Sequence, residues 1–397
     1  MKRFLLRLLC TPLLLLVMGL LLTFFSPIYN FREPAPFKGP DIFNPYRNLD
    51  TAWCWQRSVF HVHTRVKGPW PVNECPEWPG EVYQDLAQLG YDIVTFSNHN
   101  ELTTHPFDTA LQVNVYEHGY NLFKFHKLVF GSQKVIHFDP LIPILASQKQ
   151  FQLDYLGRSA HFIQMNHPYR TVGTCKRHME ELSGYQIMEL DTGISTENEY
   201  WDWALSAGHY SFGLANDDLH HPEVTSNIGV RCNFLCTPSG RYEDIKKTLL
   251  EGCYYAMRVP DYGNGDWQEK RARNKRLPYV TGIGLRADTL FMTLSRPAAS
   301  ILVTGQDHTL LYSVGQTSSL AYALPADAPY ARITAIFDGG EVIYSNPFAR
   351  YDASAQDSPF CNDPQPWNIP LTVLYNLLVL ALLAGCLLLL GKLYAKR

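Results

Sequence analysis

The residues with the clearest chemical potential are histidines and carboxylates that recur over the first two thirds of the chain. His61 and His63 close a short apolar run, and because side chains alternate along a strand, both imidazoles would point to one face and could bind one metal ion. Residues 216–221 place two carboxylates and two histidines within six positions, after another apolar run. These residue types at this spacing favour a bound cation over a solvated loop.

Four further positions suit the same chemistry. His99 follows the apolar run 93–96, His167 follows another such run, and Glu117 and His126 bracket an aromatic segment. Taken singly, each has an ordinary explanation, such as an edge histidine or a solvated glutamate. Together they fit one site, because a carboxylate can bridge two cations while histidines fill their remaining positions. The set predicts a multinuclear metal centre.

The elements that must position these residues are short strands that alternate with helical patterns. Such alternation predicts a mostly parallel sheet, and about seven units over roughly 200 residues suit a closed barrel, with its chemistry at the carboxyl ends of the strands. The predicted strands are 58–62, 93–96, 127–130, 162–165, 186–190 and 212–215, and the clearest helices are 80–89, 198–207 and 242–251.

After Pro278 the pattern changes to short strands without helices. The predicted strands are 289–294, 300–303, 331–337 and 342–344, and the last two flank the hairpin turn Asp338-Gly339-Gly340. This pattern predicts a small β-sandwich-like module.

Both ends of the chain carry apolar segments of membrane-spanning length, at 8–25 and 371–390. A cleaved signal peptide is the rival interpretation of the first segment, but no small-x-small cleavage site follows it. Lys and Arg flank the outer ends of both segments, which predicts cytoplasmic termini and an extracytoplasmic catalytic region, periplasmic in a bacterium. The predicted organisation is a membrane anchor at 4–25, a tether at 26–56, a barrel at 57–260, the β-module at 278–350, a linker at 351–369 and a transmembrane helix at 370–391.

Composition excludes one class of partner. The net charge of −3 and the pI near 6.5 leave no broad basic surface, so nucleic acid is not expected to bind. Of the nine cysteines, seven lie outside the apolar segments, where disulfides are allowed, and their spacing forms no paired Cys-x-x-Cys zinc motif.

The ordered motifs resemble those of the PHP (polymerase and histidinol phosphatase) superfamily over about residues 57–255. The β-module, with the segment 342–347, is similar to the module that follows the catalytic domain in CehA/McbA-like metallohydrolases. The resemblance implies an α/β fold with a distorted (β/α)7 barrel. The matching motifs are His61-Val62-His63, the segment 90–99 that ends in His99, Glu117, His126, His167-Pro168 and Asp218-Leu219-His220.

Carried over by position, the resemblance implies three sets of metal ligands. The first is His61, His63, Glu117 and Asp218, the second is bridging Glu117 with His126 and His167, and the third is His99 with His220.

The ions would be Zn, Mn or Fe, two of them tightly bound and a third more weakly. Glu117 and Asp218 carry the catalytic role, and Glu189 matches an acidic residue at the barrel mouth. Two departures weaken the third site: Asn98 replaces the usual Asp, and residues 64–71 supply no acid, so Glu74 or Glu77 would have to reach back.

The expected reaction is hydrolysis of a phosphoester by a metal-activated hydroxide at a di- or trinuclear centre. Arg170 and Arg231 are candidates for binding the phosphate, although a surface salt bridge is the commoner role for an arginine. The expected substrate is a small-molecule or lipid-linked phosphoester. Two alternatives stay open: hydrolysis of an ester, carbamate or amide, and a catalytically silent envelope scaffold that binds a partner through the β-module.

Overall fold

The computed structural model describes residues 2–50, 55–68, 70–191, 198–360 and 363–395. The helices are α1 (Lys2–Leu22), α2 (Pro79–Gln88), α3 (Ala146–Gly157), α4 (Lys176–Glu181), α5 (Glu199–Ser206), α6 (Tyr242–Glu251), α7 (Trp267–Asn274) and α8 (Ile369–Tyr394). The strands are β1 (Asp41–Phe43), β2 (Trp55–Val59), β3 (Ile93–Val94), β4 (Val115–His118), β5 (Lys127–Phe130), β6 (Phe162–Met165), β7 (Ile187–Glu189), β8 (Phe212–Leu214), β9 (Arg231–Cys236), β10 (Tyr254–Arg258), β11 (Val280–Arg286), β12 (Thr289–Thr304), β13 (Leu310–Ala323), β14 (Tyr330–Ile336), β15 (Val342–Ser345) and β16 (Phe348–Tyr351).

These strands form two sheets. The smaller has the order β4-β5-β6-β7-β8, and the larger has the order β1-β16-β14-β15-β10-β9-β2-β3, with β11, β12 and β13 attached through β14. Strands β2 and β3 are parallel, as are β6, β7 and β8, but β5 is antiparallel to both of its neighbours, β4 and β6. The α/β class is confirmed, whereas the expectation of a mostly parallel arrangement is wrong for the larger sheet.

Two isolated bridges join the sheets into a ring. Val62 pairs with Leu219 beyond the ends of β2 and β8, and His99 pairs with Glu117 beyond the end of β3. The ring departs from strict alternation, because residues 95–114 hold only a 3-10 turn at Thr109–Leu111 and no helix separates β4 from β5. A closed (β/α)7 barrel therefore stays a prediction, while the bridges bring the ends of the strands to one mouth.

The β-module is continuous with the larger sheet. Strand β15 pairs with β10 from Tyr255↔Ser345 to Arg258↔Val342, so module strands extend the sheet that carries β9 and β2. The predicted hairpin lies between β14 and β15, where Ile336 pairs with Val342. The two strands predicted at 289–294 and 300–303 are parts of one long strand, β12.

Glycines end two of the predicted helices. Gly90 follows α2 with φ 88°, and Gly252 follows α6 with φ 79°, a left-handed conformation that glycine adopts without steric cost. A Cβ at Gly252 would lie 2.2 Å from Cε1 of Phe212, so packing against β8 also requires glycine there.

The terminal helices α1 and α8 lie side by side, and by length and composition each could cross a membrane. Arg7 Nε donates to Leu393 O at 3.0 Å near one end of the pair, and Tyr375 Oη donates to Phe24 O at 3.0 Å near the other. The terminal basic residues Lys396 and Arg397 and the cysteines Cys54 and Cys361 lie outside the described residues. The seven described cysteines are free thiols.

Candidate metal centre

The eight predicted ligands meet at the mouth of the strand ring, because each lies where a strand begins or ends at that mouth. His61 and His63 follow β2, and His99 follows β3. Glu117 lies in β4, and His126 directly precedes the antiparallel strand β5, which begins at this mouth. The remaining three ligands follow β6 or β8, namely His167, Asp218 and His220.

Glu117 is the centre of the cluster and faces a different group of histidines with each oxygen. Its Oε2 lies 3.1 Å from His61 Nε2, 3.1 Å from His63 Nε2 and 3.0 Å from His99 Nε2. Its Oε1 lies 3.2 Å from His126 Nδ1 and 3.3 Å from His167 Nε2. This arrangement suits a carboxylate that bridges two cations.

Asp218 completes the first group of ligands. Its Oδ1 lies 3.1 Å from His61 Nε2 and 3.4 Å from His63 Nε2. Its φ of 50° places the residue in the left-handed region, in which few non-glycine residues occur. Such backbone conformations concentrate at functional sites.

The donor atoms fit a divalent cation. Ligands at about 2.0–2.2 Å from one ion stand roughly 2.8–3.6 Å from each other in octahedral to tetrahedral coordination, a range that includes the spacing found here. Moreover, Nε2 of His61 and Nε2 of His63 are buried and have no hydrogen-bond partner of suitable geometry among the described residues. Leaving buried polar atoms unpaired is costly, and an ion at the centre of these atoms would remove that cost.

Among the residues that the structure describes, three sets of donor atoms are close enough to hold an ion: His61, His63, Glu117 and Asp218; His99, Glu117 and His126; and His63, Glu74 and His99.

The first set reproduces the predicted first site. The second contains Glu117 and His126 as predicted, with His99 added, and His167 approaches the same Glu117 oxygen as His126. The third differs from prediction, because Glu74 joins His63 and His99 in place of His220. Glu74 Oε2 lies 3.5 Å from His99 Nε2 and 3.9 Å from His63 Nδ1.

His220 lies beside the centre. Its Nδ1 is 2.8 Å from the backbone oxygen of Asp218, and its ring lies 4.2 Å from the ring of His63 between centroids. Burial and the neighbouring His63 lower the pKa of His220 to about 4.

Opposite charges dominate the titration of the metal-free cluster. Burial alone would lower the pKa of His63, but the nearby carboxylates of Asp218 and Glu117 outweigh it and raise the pKa to about 9. Burial would raise the pKa of Glu117, yet the surrounding histidines hold it well below its usual value. His126 behaves differently, since its burial lowers the pKa to about 3.

Glu189 fixes the orientation of the ligands from behind. Its Oε1 lies 2.9 Å from His61 Nδ1, and its Oε2 accepts the backbone N–H of His167 at 2.8 Å. Because the first contact uses Nδ1, Nε2 of His61 is turned toward Glu117 and Asp218. A carboxylate behind a ligand histidine fixes its tautomer and raises its basicity.

The side chain of Asn98 is hydrogen-bonded to Thr64 and Thr103 and not to the neighbouring His99. Its Oδ1 accepts the backbone N–H of Thr64 at 2.7 Å, and its Nδ2 donates to Thr64 Oγ1 and Thr103 Oγ1, each at 2.7 Å. The Nδ1 of His99 has no hydrogen-bond partner among the described residues. Asn98 therefore holds the loop that follows His63.

The two candidate arginines have different surroundings. Arg170 is partly exposed, and its Nη1 donates to Asp218 Oδ2 at 2.6 Å, which places a guanidinium at the cluster. Arg231 instead donates through Nε to Asp191 Oδ1 at 2.9 Å, and the hydroxyl of Tyr344 donates to the same carboxylate at 2.9 Å.

Two residues of the centre were missed by sequence reasoning or left open. Asn166 Nδ2 donates to Glu117 Oε1 at 2.9 Å, and its position directly before His167 was the only signal. Glu74 was one of two candidates, and nothing in a proline-rich loop distinguished it from Glu77 before the loop's course was known.

No protein-family model matches the sequence, and a search of curated proteins finds no match. A solved structure from Bacteroides vulgatus, a two-domain protein that contains a predicted PHP-like metal-dependent phosphoesterase, is similar to this chain with 13% identity and a TM-score of 0.39. The match covers 79% of this chain and 98% of that one. A superposition this loose defines neither ligands nor reaction, which rest on the geometry above.

The structure contains a buried His/Glu/Asp cluster suited to divalent metal, and the resemblance of the ordered motifs to the PHP superfamily rests on the sequence alone. Membership of the CehA/McbA branch stays a prediction.

Proposed function

We propose that this protein is a metal-dependent hydrolase that cleaves phosphoesters. The observation that supports this most strongly is Glu117, whose two oxygens face separate groups of histidines at 3.0–3.3 Å. Divalent ions held by these residues would lower the pKa of water toward about 7 and neutralise charge that develops on phosphoryl oxygens. The ligand sets fit such ions.

The chain's own residues would bind and orient the substrate. Arg170 lies at the cluster with its guanidinium against Asp218, so a phosphate entering the mouth meets a planar donor that can bind two oxygens at once. Glu189 would keep His61 in a single tautomer throughout the reaction. Glu117 and Asp218 supply negative charge that offsets the cations.

We also propose that two of the ligand sets bind tightly and the third weakly. A neutral imidazole offers one acceptor nitrogen, and the set His63, Glu74 and His99 shares both histidines with the other two sets. It therefore competes for ligands that the first two ions already use.

The proposed location is a two-pass membrane arrangement with both termini in the cytoplasm and the metal centre on the other side. Its support is the positive charge at the outer ends of the two apolar segments. Alkaline phosphatase fused near Pro278 should be active, and a fusion after Arg397 should be inactive. The reverse pattern would overturn this topology.

The activity can be tested on the full chain in detergent, loaded in turn with Zn²⁺, Mn²⁺ and Fe²⁺. We expect hydrolysis of p-nitrophenyl phosphate or bis-p-nitrophenyl phosphate that a chelator abolishes and that Asp218→Asn lacks. Hydrolysis of p-nitrophenyl acetate alone would replace the phosphoesterase with an esterase. Bound metal without hydrolysis of any of the three p-nitrophenyl substrates would favour a scaffold role.

A further inference from the structure

Five exposed apolar side chains lie on three loops near the metal centre. We call them the apolar rim: Leu122, Ile144, Leu145, Tyr169 and Val172. Leu122 is 64% exposed, Ile144 54% and Val172 52%. Single exposed apolar residues are normal on protein surfaces, but a contiguous group marks a site of contact with an apolar partner.

Backbone hydrogen bonds join the three loops, so the rim residues lie on adjacent loops. The backbone N–H of Leu122 donates to Leu141 O at 2.9 Å, which ties the first loop to the segment before α3. The backbone N–H of Val172 donates to Phe123 O at 2.7 Å, which ties the third loop to the first.

The same loops carry the metal centre. The first runs from Glu117 to His126, both of which are candidate ligands, and Tyr120 within it stacks on His99 with 4.8 Å between ring centroids. The third begins at His167, and its Arg170 contacts Asp218. Whatever covers the rim therefore lies at the mouth of the centre.

The rim also adjoins the paired terminal helices. Ile144 and Leu145 lead directly into α3, and in its first turn Gln148 Nε2 donates to the hydroxyl of Tyr375 in α8 at 3.4 Å. Beside it, Ser147 Oγ accepts the backbone N–H of Tyr29, just after α1, at 3.1 Å.

The hydrogen bond between Gln148 and Tyr375 bears on the height of the rim relative to the bilayer. Tyr375 lies six residues into α8, about 9 Å along the helix axis from its start. Trp367 and Tyr375 are also the aromatic residue types that concentrate at a membrane interface. If α8 crosses the bilayer as proposed, a contact that far along the helix puts the start of α3, and with it Ile144 and Leu145, close to the headgroups.

We infer that the apolar rim is seated in the interface of the bilayer crossed by α1 and α8, so that the metal centre opens onto phosphorylated lipid headgroups. The rim supplies apolar side chains for the upper acyl region, and Lys124, exposed on the first loop, supplies a charge that attracts anionic headgroups. The substrate class, a lipid phosphoester, rests on the proposed function, whereas the seating does not.

The seating can be tested on the full chain in nanodiscs that contain a phospholipid with a photoactivatable diazirine near its glycerol end. After illumination and proteolysis, we expect cross-links on peptides with Leu122, Ile144 or Val172, in addition to α1 and α8. The control surface is the first, turn-proximal part of β13, where Leu310 is 57% exposed and Tyr312 is also exposed. Cross-links confined to α1 and α8, or equal labelling of the control surface on β13, would overturn the position of the rim in the bilayer interface.

The cross-linking needs no turnover, so the inactive Asp218→Asn chain should give the same map, and a failure of the proposed hydrolysis remains distinguishable. The substrate class has its own measurement, the ratio of activity on phosphatidate in vesicles to activity on p-nitrophenyl phosphate. Leu122→Ser with Ile144→Ser should lower this ratio about tenfold or more, because each change removes a large part of an apolar side chain's burial in lipid. The control Leu310→Ser with Tyr312→Ser should leave this activity ratio unchanged. Equal activity ratios in the two double variants would exclude a lipid substrate.

Discussion

Two buried charged clusters in this molecule are built in opposite ways. At the junction of α5 and the β-module, Asp202 accepts from Arg332 Nε at 2.8 Å and from Arg332 Nη2 at 2.5 Å, and it also contacts His308 and the hydroxyl of Tyr330. At the strand mouth, Glu117 is surrounded by five histidines whose nitrogens lie 3.0–3.3 Å away.

The difference identifies the cluster that needs a cation. Asp202 has a permanently charged partner, so its network is complete without a ligand. The mouth instead combines Glu117, Asp218 and Glu189 with imidazoles, which carry no permanent charge, and Nε2 of His61 and Nε2 of His63 have no hydrogen-bond partner of suitable geometry among the described residues. The first cluster joins two parts of the fold, whereas the second is arranged to bind metal.

The largest expected effect is the loss of hydrolysis in Asp218→Asn. The change keeps the shape of the side chain but removes an anionic ligand, and losing even an outer partner of a ligand typically costs about 10 to 100-fold in metal affinity or activity. We expect a reduction of at least about 100-fold in kcat/KM with an unchanged circular dichroism spectrum. Full activity in the folded variant would exclude Asp218 from the centre.

Asp202→Ala should produce the converse result. It leaves Arg332 buried without its partner, which typically costs about 3–5 kcal/mol in the free energy of unfolding. The metal content of the protein that remains folded should match that of the unsubstituted chain. Urea unfolding and elemental analysis measure the two quantities, and a loss of metal without a loss of stability would contradict the assignment of the two clusters.

The positions of the candidate metal ligands could be predicted from the sequence better than the order of the strands that carry them. Histidines and carboxylates are informative because they fall at strand ends, and strands β5 and β6 and helix α6 have the predicted bounds. The sheet order could not be predicted, since no helix separates β4 from β5, and β5 is antiparallel to β6 although helix α3 lies between them.

Helix α3 was missed because its buried face is polar. Gln148, Lys149, Gln150 and Gln152 are all buried, so no apolar stripe marks the helix. Their partners are distant in sequence: Lys127 Nζ donates to Gln152 at 2.5 Å, and Lys149 Nζ donates to Thr174 at 3.2 Å. Such pairings become visible only when the fold brings the partners together.

A smaller effect is expected from Glu74→Gln, which tests the third set of ligands. The substitution removes the charged oxygen that faces His99 at 3.5 Å, so the affinity for the weakest ion should fall, by about 10 to 100-fold if Glu74 acts as strongly as an outer partner does. Glu77→Gln is the matched control, because Glu77 belongs to none of the three sets. Elemental analysis after dialysis gives the stoichiometry, and equal loss of metal in both variants would count against Glu74.

The smallest expected effect, per single pH unit, is the pH dependence of metal binding. In the metal-free protein Asp218 and Glu117 raise the pKa of His63 to about 9, so at neutral pH an incoming ion must displace a proton from this ring. Because the deprotonated form binds, the apparent affinity should rise with pH by at least about tenfold per unit below 9. His126, with a pKa of about 3, is already deprotonated and adds no slope. Competition with a chromophoric chelator at three pH values between 6.5 and 8.5 measures the slope. An affinity independent of pH over this range would show that His63 is not a ligand of the ion being measured, and it would remove the main difference proposed between this cluster and the pair of Asp202 and Arg332.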